Sequence, residues 1–242
     1  MVNPLLVTKL SPPAPRFDRV SVAQGLRVQR KRLLEKLDQG LTRKLILISA
    51  AAGFGKTTVL SEWVHQIQFP TSWLALDERD NDLTRFWTYF VTALQQSHQN
   101  IGEATLTLLR TPEPTSAEAF LTPLINELAQ LQTDFILVLD DYHLITNPAI
   151  HHTLTLLLEY LPMQVHLAIA TRVDPPISIA KLRVCDQLIE LRTDDLRFTQ
   201  QEATTFLNQS ISQALTEAQI TALQRQTEGW IAGLQLAMLS LR

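Results

Sequence analysis

The residues best suited to chemistry lie in Ala50–Thr58, AAAGFGKTT, between an apolar run and a helical pattern. Gly53 and Gly55 allow backbone angles closed to other residues and leave no side chain in the way of a close-approaching anion. The successive amides of Ala52, Gly53, Phe54, Gly55, Lys56, Thr57 and Thr58 would then face a phosphate at the start of a helix, where the helix dipole also favours negative charge. Lys56 has the reach for the β- and γ-phosphates, and the Thr57 hydroxyl suits Mg²⁺. The usual pattern has glycine at the position of Ala50, and alanine serves there provided its φ stays negative.

A second signal is FILVLDDY, Phe135–Tyr142, an apolar run ending in two acids. Ligands of open α/β sheets sit at the carboxyl ends of strands, which places Asp140 as a magnesium-holding carboxylate. Asp141 beside it would polarise an attacking water. Two adjacent carboxylates repel one another unless a cation or basic group compensates. A third signal is HLAIATR, in which Arg172 follows another apolar run, and a guanidinium there could contact a γ-phosphate.

Residues 27–44 carry seven basic side chains, Arg27, Arg30, Lys31, Arg32, Lys36, Arg43 and Lys44. With Leu33, Leu34 and Leu37 opposite and no interleaved aromatics, they read as the solvated face of a helix rather than a nucleic-acid surface. The six histidines lack the i, i+4 pairing of a helical zinc site and read as ordinary polar positions.

These groups need a frame, and the hydrophobic pattern supplies one. Strands are predicted at Leu45–Ser49, Trp73–Leu76, Phe135–Leu139, His166–Ala170 and Leu188–Leu191, separated by segments with helical periodicity. Thr115 with Glu118 predicts a capped helix running to about Leu131, and Asn147-Pro148 opens another that ends near Leu161. Strands joined by crossover helices make an α/β fold, a parallel sheet covered on both faces. The connection around residues 98–114 reads as a mobile loop.

From about residue 196 the pattern turns helical. Thr199 with Glu202, and Thr216 with Gln219, predict two capping boxes. The chain thus divides into residues 1–195 and a small helical subdomain, 196–242. The latter has too few basic residues for a helix-turn-helix to attract DNA phosphates. Its last segment, GWIAGLQLAMLSLR, is apolar up to the final residue, which predicts that the chain is part of a longer one.

Composition bounds the remaining possibilities. The 242 residues are 45% hydrophobic and 19% charged, enough for a substantial core. Twenty-one basic residues against 24 acidic ones, a formal charge of −3, exclude an overall basic surface for nucleic acid. A single cysteine, Cys185, and no apolar stretch of about 20 residues predict a soluble protein in a reducing cytoplasm, with no membrane partner.

Taken together, LLVTKLSPP, VQRKRLL, KLILISAAAGFGKTT, WLALDERDND, FILVLDDYHLI, LAIATRVDPP, LRFTQQEA and TEGWIAGLQLAMLS resemble the nucleotide-binding region of the maltose-regulator-like, large ATP-binding LuxR-type transcription activators. These belong to the STAND class, signal-transduction ATPases with numerous domains. The resemblance runs from about Leu5 to Leu241. DDYHLI and EGWIAGLQLA are its more specific parts.

The resemblance implies a P-loop NTPase fold, a five-stranded parallel sheet with helices on both faces. It implies ATP or ADP with Mg²⁺ as ligand, and a slowly hydrolysing switch whose ATP-bound state self-associates. Inducer and DNA binding are expected from domains outside this sequence. It assigns the phosphate loop to Gly53–Thr58, the magnesium and hydrolytic acids to Asp140 and Asp141, and the sensor arginine to Arg172. It also places a basic motif near the nucleotide at Val28–Leu34, with Arg30 as the contact; the preceding stretch, Arg16 to Val28, is longer than usual. The competing reading is an ATPase built for turnover, a motor or a small-molecule kinase.

Overall fold

The computed structural model describes residues 8–13, 28–111, 116–210 and 215–240. Five strands, β1 (Leu45–Ser49), β2 (Thr71–Ala75), β3 (Phe135–Asp140), β4 (Val165–Thr171) and β5 (Leu188–Arg192), form one sheet in the order β2-β3-β4-β1-β5. Every pairing is parallel. All five predicted strands are present, with ends shifted by up to two residues.

Alternation along the strands explains how both faces are covered. Leu45 and Leu47 of β1, with Phe135, Leu137 and Leu139 of β3, point into one core; Ile46, Ile48, Ile136 and Val138 point into the other. The first face is covered by α3 (Leu83–Ser97), α5 (Ala117–Leu128) and α6 (Pro148–Tyr160). The second is covered by α1 (Lys31–Asp38) and α2 (Lys56–Gln66). Trp87 of α3 is fully buried, its ring edge-on to Phe86 at 5.5 Å and to Phe120 at 5.6 Å. Its indole N–H is satisfied by Thr153 Oγ1 at 3.0 Å. Each such buried large apolar side chain contributes about 1.5–3 kcal/mol, so the two faces together dominate the stability of the sheet.

The loop expected around residues 98–114 contains a helix, α4 (Glu103–Leu109). Gly102 enters it with φ +81°, and buried Thr105 donates to the carbonyl of Phe120 at 2.9 Å. Two threonines and only seven residues give too weak a periodicity to announce such a helix, whereas tertiary contacts hold it. Thr115 lies outside the described residues. The cap of α5 is Ser116, which accepts from the amide of Ala119, and the helix stops at Leu128 rather than Leu131.

The other predicted caps form as expected. Asn147 accepts from Ala149, while Thr199–Glu202 and Thr216–Gln219 make reciprocal boxes. After β4 come a short helix, α7 (Ile179–Val184), then β5 and the single turn α8 (Thr193–Leu196). Three helices follow, α9 (Gln200–Ser210), α10 (Glu217–Thr227) and α11 (Ile231–Ser240). They pack around their own apolar cluster, which includes Phe198, Leu207, Ile220, Leu234 and Met238. Leu236 and Leu239 of α11 remain exposed. Among the described residues no helix is long and apolar enough to cross a membrane.

Candidate functional site

The glycine loop joins the carboxyl end of β1 to the first turn of α2, as its sequence predicts. Ala50 prolongs the strand by donating to the Thr171 carbonyl at 3.2 Å, and its φ is not positive. Gly53 and Gly55 adopt φ +82° and +75°, a conformation that side chains disfavour. Lys56 folds back across the loop, donating to the carbonyls of Ala50 at 2.8 Å and Ala51 at 2.9 Å. Burial lowers its pKa, with the charge of Arg172 adding to the effect, so this ammonium sits where an anion would restore lost solvation.

Asp140 ends β3 on the same edge of the sheet and is buried. One of its carboxylate oxygens accepts from the Thr57 hydroxyl at 3.0 Å and from the amide of Asp141 at 3.0 Å. Burial, and then the charge of Asp141, push its pKa up to about 6. Thr57 and Asp140 therefore present two hard oxygens side by side, the donor chemistry that magnesium prefers. A cleft of about 340 Å³ opens beside them, lined by Thr57, Thr58, Ser61, Ala75, Asp140 and Asp141 together with Thr8 and Pro13.

Asp141 caps a 3-10 turn with a left-handed backbone, φ 57°, and its carboxylate is half exposed. His143 Nδ1 stands 3.7 Å from that carboxylate, and burial together with the charge of Arg172 holds the imidazole pKa below its ordinary value. Arg172 follows β4 and is exposed; among the described residues it forms no hydrogen bond or ion pair. The structure thus gathers the loop, Lys56, Thr57, Asp140, Asp141 and Arg172 at one edge of the sheet.

Arg30 also lies close to the loop. Its Nη1 is 3.7 Å from where a Cβ on Gly55 would be. The guanidinium is buried, donates to the Leu196 carbonyl and lies 5.2 Å from the Phe198 ring centroid. Burial lowers its pKa to about 10, against the opposing pull of Glu202.

Two expectations need correction here. The basic face of α1 is not simply solvated. Arg32 forks onto Glu202 at 3.1 Å and donates to the carbonyls of Asp195 and Arg197, while Lys36 pairs with Asp195 at 2.9 Å. Its charges thus tie α1 to the segment entering α9; Arg27 lies outside the described residues. The histidines are also not all ordinary polar positions. His151 is buried against the Tyr142 hydroxyl at 2.9 Å, and His166 against the Arg43 carbonyl at 2.7 Å. Among the described residues no His, Cys, Asp and Glu side chains cluster as a metal site of three or more ligands.

The loop also meets the start of α11, a contact that its own residues do not announce. Trp230 Nε1 donates to the Ala52 carbonyl at 3.0 Å, and the Ala232 amide to the Gly53 carbonyl at 3.1 Å. A Cβ on Gly53 would lie 2.6 Å from Trp230 Nε1 and 2.7 Å from the Ala232 Cβ, so that glycine is required by packing as well as by φ. The signal was present in TEGWIAG, a glycine-flanked tryptophan before an apolar helix, but its partner 178 residues away is invisible to local pattern.

A five-stranded parallel sheet with a lysine-bearing glycine loop after β1 and an acid-tipped β3 defines a P-loop NTPase fold. Among solved structures, a STAND protein with a tetratricopeptide repeat sensor from Pyrococcus horikoshii superposes with TM-score 0.64 at 16% identity, covering 88% of this chain and 30% of that one. A Walker-type ATPase of Pyrococcus abyssi gives TM-score 0.51 at 16% identity, covering 86% and 65%. No family model matches the sequence. The HTH-type transcriptional regulator MalT from two strains of Klebsiella pneumoniae is 37% identical over 215 residues, 89% of this chain. Over 89% of its length the chain is thus similar to part of the MalT transcriptional regulators, and its fold is that of the P-loop NTPases. It spans 24% of the length of those curated relatives.

Proposed function

We propose that this module is an ATP-driven switch that hydrolyses its ligand slowly, within a longer, cytoplasmic, signal-responsive transcription activator. In this reading the amides of Ala52–Thr58 and the ammonium of Lys56 hold the phosphates, and Arg30 lies against the nucleotide from the side of α1. Thr57 and Asp140 hold Mg²⁺, whose chemistry is to neutralise charge between the β- and γ-phosphates. Asp141 orients the attacking water, and Arg172, which lacks a partner among the described residues, meets the γ-phosphate.

The observation that carries the switch reading is the seat of α11 on the loop. Residues 196–242 act as a helical subdomain on the nucleotide-binding domain, 1–195, and Trp230 and Ala232 bond to the carbonyls of Ala52 and Gly53. A phosphate that rearranges the loop amides therefore changes the footing of the helix. ADP favours the seated, resting arrangement, and ATP favours a released one that self-associates. Inducer and DNA binding belong to the rest of the longer protein.

A nucleotide shifts such an equilibrium only through its difference in affinity for the two states. Moving it from 1:99 to 99:1 takes about 5.5 kcal/mol. Charged hydrogen bonds contribute about 1.5–3 kcal/mol each, so Lys56, Arg172 and the metal suffice.

The test is phosphate release together with light scattering in ATP and in ADP. Slow turnover with ATP-dependent growth in mass supports the switch. Turnover at roughly tens per second with no change in mass would favour an enzyme built for catalysis.

A further inference from the structure

Asp141 holds a left-handed backbone, φ 57°, a conformation that side chains disfavour although Asp tolerates it better than most. Two local bonds help. The Asp141 amide donates to Asp140 Oδ1 at 3.0 Å, and the Leu144 amide donates to the Asp141 carbonyl at 3.0 Å, closing the turn. The far end of that turn is held from another part of the fold.

Asn81 ends the 3-10 turn Glu78–Asn81, which follows β2. Its Nδ2 donates to the Leu144 carbonyl at 2.7 Å and to the Glu78 carbonyl at 3.1 Å. Its Oδ1 accepts from the Thr146 amide at 2.6 Å, the Thr146 hydroxyl at 3.2 Å and the Asn147 amide at 3.1 Å. Its own carbonyl accepts from Asn147 Nδ2 at 2.7 Å. A short primary amide offers two N–H donors and a separate carbonyl acceptor; a carboxylate would lose the donors, an alkyl group everything.

The anchor is itself fixed. Asp80, fully buried, is bonded by Lys9, by Arg85 at 3.1 Å and by the Asp77 amide at 2.9 Å. Asn81 therefore transmits the position of a braced turn after β2 to the loop after β3.

We infer that Asn81 is a positioning residue for Asp141: by clamping Leu144, Thr146 and Asn147 it fixes the turn that aims the Asp141 carboxylate into the cleft. The inference rests on the hydrolytic reading of Asp141 given above. Asn81 is not among the residues that line the cleft, and it acts through the loop alone.

The test measures single-turnover phosphate release, ATP affinity and thermal melting of the chain. It compares wild type, Asn81→Ala, Asn81→Asp, Asp141→Asn and the double variant Asn81→Ala/Asp141→Asn. Asn81→Ala is expected to bind ATP as the wild type does and to release phosphate roughly ten- to a hundredfold more slowly, a misplacement of about 1 Å costing up to about 10²-fold. Asn81→Asp, which keeps the acceptor toward Thr146 and Asn147, should fall between the two.

The double variant should be no slower than Asp141→Asn, because a misaimed residue that no longer works has nothing left to lose. A double variant slower than Asp141→Asn by the full Asn81→Ala factor would overturn the inference, as would wild-type release by Asn81→Ala. If Asn81→Ala does not fold, Asn81→Asp alone and combined with Asp141→Asn gives the same comparison. Wild-type release by Asp141→Asn would instead remove the hydrolytic reading, and the inference with it.

Discussion

Replacing Asp140 with asparagine should stabilise the nucleotide-free protein while weakening its hold on a magnesium-bound nucleotide. The Asp140 carboxyl is pushed from 3.8 up to about 6, first by burial and then by the charge of Asp141, against the pull of Thr57, the Asp141 amide and Lys56. A rise of about two pH units corresponds to roughly 3 kcal/mol, an order-of-magnitude figure.

The folded chain binds this proton more tightly than the unfolded chain does. The stability it contributes is therefore complete below about pH 4 and lost as pH rises through about 6. In Asp140→Asn the side chain would carry no charge at any pH, and its amide oxygen could still accept from Thr57 and the Asp141 amide, where Asp140 now accepts at 3.0 Å. The difference between variant and wild type in urea unfolding should then be near zero at about pH 4 and grow to as much as about 3 kcal/mol in favour of the variant at about pH 7.5. Taking a difference cancels the titrating groups that are not coupled to Asp140, leaving Asp141 and Lys56 as the charged groups that still contribute. A difference that is the same at both pH values would refute the claim that Asp140 is charged at a cost in the empty site.

Three further outcomes follow from the same geometry. Gly53→Ala adds a Cβ 2.6 Å from Trp230 Nε1 at a φ of +82°, so α11 should leave the loop; faster hydrogen exchange of the Ala232 amide would report this, and unchanged protection would count against the contact. Arg32→Ala removes the fork onto Glu202 and two carbonyl contacts, and because that side chain is 38% exposed the loss of stability should be only about 1 kcal/mol in a denaturant titration. Asp141→Asn should retain ATP binding and slow phosphate release, which a single-turnover assay separates.

Much of the fold is legible in the sequence because apolar runs capped by Gly, Asn and Thr carry their own signal. Leu45–Ser49 matches its predicted strand to the residue, and Thr199–Glu202 forms the box its spacing implies. Helix α4 escapes such a reading because EATLTLL has little periodicity of its own and is held by Thr105 and its partner Phe120. In the site, the loop, Lys56, Thr57 and Asp140 are readable because chemistry and strand ends coincide. The pairing of Arg32 with Glu202 is not, nor the seat of Trp230 on Ala52, because both join residues more than 160 positions apart. Asn81 is hidden for a related reason, since its five side-chain contacts include three distant backbone groups that carry no sequence identity.

The central claim is that the glycine loop and the Lys56 ammonium grip the phosphates of a nucleotide. Calorimetric titration of the chain with ATP and with ADP in Mg²⁺, alongside Lys56→Ala, tests it most directly. Saturable binding that weakens at least about tenfold in the variant is the predicted result, one charged hydrogen bond being worth about 1.5–3 kcal/mol. Equal affinity in wild type and variant, or no heat at millimolar nucleotide, would contradict it.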